Sequence, residues 1–554
     1  MWYCPRASLE YVLSRIALPQ HDTPEGLGTR GRLLGVQKAA YSWVHIDGLP
    51  PFCDGVPAGE EFSESKSARF DWDLKGSVIN GVVSAIRALG REPTKVEDYN
   101  RYYILRKRPG TAARWREDSE FARQRLDGVN PFLIERIRQI PSNFGLTEQV
   151  AAPVLAPLGL TVERLLGEGR LYLVDFESLQ DVPIVVGRFL AAAVAAFFVD
   201  EAGILAPLAI QLGQDAQSAG VLFTPKDGEW LWLLAKSFVQ SADASYHELV
   251  SHLTRTHLVT ETCWVAMNRT MAPTHPLHEL LRPHFTDTIA INTAARGKLI
   301  APGGPIDKAI AVGSEGGFWL VDKAWKRWTF GETEPLGDLA RRDVNDLPGY
   351  HYRDDARRIY ATISKYVDEL LRVFYRSDED VRGDAELQAW AAELVSPTGG
   401  QIRGLPGGGK LERFKDLHAI VLGVVWTVSA EHSAVNNGQF DQFGYVPNSP
   451  GALYLPPPKS KIPMNNEAFT YALPPELAVD DQIALVHLLS MPTHHPLGQY
   501  PTQFFQDVKP AQLVVDRFRA RLDQDTLAIR ERNLSLDVPY RYLDPSIIGR
   551  SVAI

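Results

Sequence analysis

From Trp230 to Thr270 the chain runs 41 residues (WLWLLAKSFVQSADASYHELVSHLTRTHLVTETCWVAMNRT) without a glycine or a proline. With no breaker inside it, this stretch reads as one very long helix, roughly 60 Å at 1.5 Å per residue. It is too apolar to lie on a surface and belongs at the centre of the molecule. A chain with such an axis is expected to be mainly α, with other helices packed around it.

The same stretch carries unusual chemistry. The chain has 14 histidines, and His247, His252, His257, His275, His278 and His284 fall within 38 residues, where about one is expected at random. The first three repeat as H-x4-H-x4-H. On a regular α-helix an i+5 step leaves neighbouring imidazoles about 140° apart, too far to share a metal. If one turn widens to i→i+5 hydrogen bonding, two of the three come into register, so the spacing predicts a π-bulge. The HExxH motif of zinc proteases needs an i+4 pair, and His247-Glu248-Leu249-Val250-Ser251-His252 has one residue too many. Downstream, His432 and Asn436 form an i, i+4 pair on one helical face. Three imidazoles and an amide oxygen suit divalent iron better than zinc or calcium; a carboxylate is missing from the set.

Composition narrows the function by exclusion. With 58 Lys+Arg against 67 Asp+Glu the net charge is −9, which offers no basic field for nucleic acid. Three scattered cysteines (Cys4, Cys53, Cys263) make neither a disulfide framework nor a CxxC metal site and fit a reducing, cytoplasmic setting. The most apolar window, Phe189 to Val199, has 11 residues, whereas a bilayer span needs about 20. The first 20 residues do not read as an export signal.

Apolar residues at helical spacing mark Arg357 to Tyr375, Asp384 to Leu394 and Lys415 to Phe440, while Leu171 to Val174, Ile184 to Val186 and Leu205 to Leu212 read as strands. Ser396 to Lys410 and Asn448 to Lys461 are Gly/Pro-rich loops. No change of charge or complexity marks a boundary, so residues 1–554 are expected to form a single domain. Three further motifs are set aside. Gly404 to Lys410 has the frame of a phosphate loop, but Leu411 stands where Ser or Thr must hold magnesium. His45-Ile46-Asp47 is a three-residue match without a strand-rich barrel around it. Ser377 to Asp380 (SDED) reads as a helix cap.

The sequence resembles the lipoxygenases, bacterial type and reduced to the catalytic domain. The resemblance rests on FARQRLDGVNP (Phe121 to Pro131), WLLAKSFVQSAD (Trp232 to Asp243), HELVSHLTRTHLVTE (His247 to Glu261), HPLHELLRPHF (His275 to Phe285), INTAARGKLI (Ile291 to Ile300), LPGYHYRDD (Leu347 to Asp355), SDEDVRGDAELQAW (Ser377 to Trp390), HSAVNNGQ (His432 to Gln439) and SVAI (Ser551 to Ile554). It implies one non-haem iron per chain, with His252, His257, His432 and the weaker Asn436 as ligands. The missing carboxylate is then the main-chain terminus at Ile554. His247, Glu248 and Gln439 fall at positions surrounding the ligands, and His275 and His284 at positions that are not direct ligands.

What the resemblance implies about activity is dioxygenation of polyunsaturated fatty acids of the linoleate, linolenate and arachidonate class, with O2 as co-substrate. A hydrogen leaves the doubly allylic methylene and dioxygen traps the pentadienyl radical. Two other outcomes stay open: isomerisation of fatty-acid hydroperoxides, and a catalytically silent lipid-binding protein. Leu299 and Leu489 match residues that clamp the pentadiene, Ala295 the position associated with S-hydroperoxides, and Ala309 and Ile310 the pocket floor. The N-terminal β-sandwich of many relatives is not expected within these 554 residues. Met1 to Phe70 is expected to be a lid or extension, with Ser8 to Leu18 read as a core helix in preference to a lid. Peripheral membrane contact is compatible with a lipid substrate.

Overall fold

The computed structural model describes residues 16–63, 66, 92–103, 106–216, 221–490 and 495–553. Its axis is the expected helix, in three continuous stretches: α-helix Glu229–Tyr246, π-helix His247–Leu258 and α-helix Val259–Thr270. Nearly every side chain from Leu231 to Asn268 is buried. The widened region is longer than a single bulge, covering 12 residues. Its hydroxyls explain how it holds. Thr254 Oγ1 donates to Leu249 O at 2.6 Å and Thr256 Oγ1 to His252 O at 2.6 Å, satisfying carbonyls that the widened ladder bonds poorly.

Around this axis pack His351–Phe374 and Lys509–Asn533, which lie side by side with Tyr366 stacked on Phe518 at 4.1 Å. Gly313–Arg327 lies directly on the π-helix. Two glycines allow its close packing: a Cβ at Gly316 would stand 2.2 Å from Pro183 O in the preceding loop, and one at Gly317, toward the π-helix, 3.2 Å from Leu249 Cδ1. Gly316→Ala is therefore expected to cost about 1–3 kcal/mol, measured by urea unfolding.

Five strands, Glu135–Arg136, Leu171–Asp175, Val194–Val199, Leu205–Gln211 and Leu222–Phe223, form an antiparallel meander in sequence order, with a bulge at Ala196/Phe197. Alternation along the strands feeds two cores. Tyr172, Val174, Ala195 and Phe197 face the main core, whereas Leu171, Leu173, Val194, Ala196 and Phe198 join a smaller one with helices Glu148–Leu155 and Val162–Glu168. Burial on both faces explains the apolar Phe189 to Val199 run, which hides a central strand absent from the sequence reading. Among the described residues no single helix is long and apolar enough to cross a membrane.

Several elements differ from expectation. Ile184 to Val186 is a loop, not a strand: Pro183 and Gly187 bracket it, and Val186 is fully exposed. The Lys415 to Phe440 segment is not one regular helix but Phe414–Trp426, a second π-helix Thr427–Glu431, then His432–Asn436 and Gln439–Phe443. The last break falls at Asn437 and Gly438, where close packing leaves no space for a side chain on Gly438: a Cβ there would meet the Tyr542 ring at 2.7 Å. Ser377 does cap a helix, in a capping box with Asp380. Within the Met1 to Phe70 extension, residues 1–15, 64, 65 and 67–70 lie outside the described residues, among them 8–15 of the Ser8 to Leu18 stretch; Leu18 itself is buried in the main core.

Candidate metal centre

The π-helix places His252 and His257 on one side of the axis, their Nε2 atoms 3.3 Å apart. The second π-helix delivers His432 from across the core, its Nε2 3.1 Å from that of His257. All three histidines are buried, and among the described residues they are the one group of His, Cys, Asp or Glu side chains close enough to hold a metal ion.

Burial, reinforced by the neighbouring imidazoles, holds His252 well below the usual histidine range. It is therefore neutral, and a metal can take its lone pair. The tautomer of His257 is set from outside. Asn292 Nδ2 donates to His257 O at 2.8 Å and to Glu261 Oε2 at 2.9 Å, which turns Oδ1 toward the ring to accept from His257 Nδ1 at 2.9 Å. The proton is thereby held on Nδ1 and Nε2 is left to coordinate. Glu261 is fixed in turn by Arg296, at 2.7 and 3.1 Å, and by the Cys53 backbone N–H. Asn292, Glu261 and Arg296 were missed in the sequence because no spacing links residues 35 positions apart.

The remaining candidates fall into place around the trio. His247 Nε2 donates to Val435 O at 2.7 Å, so that nitrogen is spent on a carbonyl; burial lowers its pKa to about 4. Glu248 Oε2 lies 3.7 Å from His252 Nδ1, and burial raises its carboxyl to about 8. Asn436 is buried on the His432 helix and its Oδ1 accepts from Gln439 Nε2 at 3.0 Å. His275 and His284 serve structure. His275 caps the helix Pro276–Leu281 and bonds Asp384 at 2.8 Å, and His284 Nδ1 donates to Arg550 O at 2.8 Å.

Ile554 lies outside the described residues. The tail leading to it is tied beside the trio: Gly549 N–H donates to Ser433 Oγ at 3.0 Å, next to His432, and Val552 is buried. The donor set fits a divalent transition metal. Three buried imidazoles converge in the core, and Gln439 Oε1, Glu248 Oε1 and His247 Nδ1 are buried side-chain atoms with no protein hydrogen-bond partner.

A cavity of about 270 Å³ opens against this centre. His252 and His257 form part of its wall, and Leu249, Leu253, Ile291, Ala295, Leu299, Ile306, Leu488 and Leu489 supply an almost wholly apolar lining, with Glu248 and Lys298 as its charged members. A third π-helix, Ala295–Leu299, presents both Ala295 and Leu299 to it. Ala309 and Ile310 are buried beyond Ile306 and do not line the cavity. There Ala311 N–H bonds Gly451 O and Arg188 caps the carbonyl of Ile310, so that turn packs on the 451 loop.

Residues 79–543 match the lipoxygenase family model. The chain is 38% identical to the human (Homo sapiens) polyunsaturated fatty acid lipoxygenase ALOX15B over 539 residues, covering 94% of this chain and 79% of that protein. It is 34% identical to the mouse (Mus musculus) hydroperoxide isomerase ALOXE3, over 79% of this chain and 62% of that one. A crystal structure of a lipoxygenase in complex with arachidonate superposes with a TM-score of 0.92 at 30% identity, covering 98% of this chain and 84% of the other. By fold, sequence and the residues gathered at its core, the chain belongs to the lipoxygenase family of fatty-acid dioxygenases.

Proposed function

We propose that this lipoxygenase inserts O2 into polyunsaturated fatty acids such as linoleate and arachidonate, giving mainly S-hydroperoxides, at one non-haem iron held by His252, His257, His432, Asn436 and the carboxylate of Ile554. The observation that carries this reading is the apolar cavity with His252 and His257 in its wall: an acyl chain that fills it lies against the metal centre.

When bound, the iron supplies one-electron redox chemistry. The chain's own residues provide the setting. Asn292 keeps the His257 proton on Nδ1, away from the metal. Leu299 and Leu489 exclude water and hold the pentadiene in a fixed pose, which is worth more here than any acid or base because the radical must be oxygenated at one carbon and on one face. Ala295 places a methyl group in the lining of the same cavity, shielding one end of the pentadienyl system from dioxygen.

Incubation with linoleate in air is expected to consume O2 with formation of conjugated-diene hydroperoxide. The similarity to a hydroperoxide isomerase gives the alternative its own signature, turnover of added hydroperoxide without O2 uptake. Neither reaction in a chain free of iron would leave a lipid-binding protein. For Ala295→Gly, chiral chromatography is expected to show the ratio of positional and stereochemical products shifted by about tenfold or more, or ~1.4 kcal/mol between competing transition states. An unchanged product ratio would place oxygen control elsewhere.

A further inference from the structure

The π-helix that carries His252 and His257 and the π-helix that leads into His432 are joined by a buried ion pair. Arg255, between His252 and His257 in sequence, donates from Nε to Glu431 Oε1, and Glu431 immediately precedes His432. Both residues are held on every side. Arg255 Nη2 donates to Glu332 O at 2.6 Å and its guanidinium lies 4.8 Å over the Phe132 ring, while Glu431 Oε2 accepts from Thr427 Oγ1 at 2.9 Å. The side chains are 15% and 1% exposed.

A buried pair of this kind contributes little net stability, because desolvation offsets the attraction. Its value is geometric. π-Helical hydrogen bonds hold a backbone less firmly than α-helical ones, yet metal–ligand distances tolerate only about 0.2 Å of error. Something must fix the rotation of one π-helix against the other, and the rigid guanidinium fork spans the gap at that place.

We propose that Arg255 and Glu431 are positioning residues for the metal centre: their bridge sets the His432 helix against the helix bearing His252 and His257. This rests on the reading of the trio as metal ligands. Neither residue is a ligand itself, since both carboxylate oxygens of Glu431 are already engaged.

The test is titration of the metal-free full-length chain with Co2+, followed by its visible absorption, beside the melting temperature of the metal-free protein. Removing both charges in Arg255→Met/Glu431→Leu leaves no unpaired buried ion, so metal-free stability is expected to stay near wild type. Co2+ binding is expected to weaken about tenfold or more, with shifted absorption bands. Should that variant not fold, Arg255→Lys decides. It keeps the charge but cannot reach Glu431 and the Glu332 carbonyl together, and is expected to bind Co2+ several-fold more weakly with the same spectral shift. Glu431→Gln retains an oxygen for Arg255 and is expected to restore most of the affinity. Wild-type affinity and spectrum in the double variant or in Arg255→Lys would overturn the clamp. A wild-type chain that binds no Co2+, or a His432→Ala chain that binds it normally, would overturn the metal assignment instead.

Discussion

His252→Ala and His257→Ala are each expected to lose the metal and to lower kcat/KM for linoleate by about 10⁴-fold, ~5.5 kcal/mol of transition-state stabilisation, whereas His247→Gln retains most of both. The contrast follows from where the nitrogens are spent. His252 and His257 meet at Nε2, 3.3 Å apart, while His247 gives its Nε2 proton to Val435 O, a bond a glutamine amide can replace. Elemental analysis of the purified variants checks it. Equal metal loss in all three would mean that the wrong pair has been assigned to the centre.

Extending the chain by a few residues beyond Ile554 is expected to abolish metal binding and activity almost completely, while an N-terminal tag of the same size leaves both intact. An added residue moves the negative charge away from a buried cation and leaves neutral bulk in its place, so the centre loses charge compensation and fit together. The bonds from Gly549 to Ser433 and from His284 to Arg550 bring the tail to this place. Full iron and full activity in the C-terminally extended chain would remove Ile554 from the ligand set.

The pocket residues are legible in the sequence to different degrees. Leu299 and Leu489 lie 190 positions apart in the chain, yet both line the cavity, with Ala295 on the same short π-helix as Leu299. Ala309 and Ile310 differ: they close the same helical turn as Ile306, yet it is Pro305 and Ile306 that reach the cavity. A helix only five residues long gives no periodicity from which to tell its facing side.

What the amino-acid order determines by itself here is local. Absence of breakers from Trp230 to Thr270 dictates the long helix, and the five-residue histidine spacing demands a widened turn within it, since a regular α-helix would splay the rings. Only the tertiary structure decides which groups meet across the core. It extends the π-helix to 12 residues and adds two more, at Ala295–Leu299 and Thr427–Glu431. It turns the Asn292 oxygen onto His257 and joins Arg255 to Glu431. The physical reason is that these pairings are hydrogen bonds and ion contacts between residues 35 and 176 positions apart, which leave no mark on periodicity or propensity and form only when packing has excluded water from both partners.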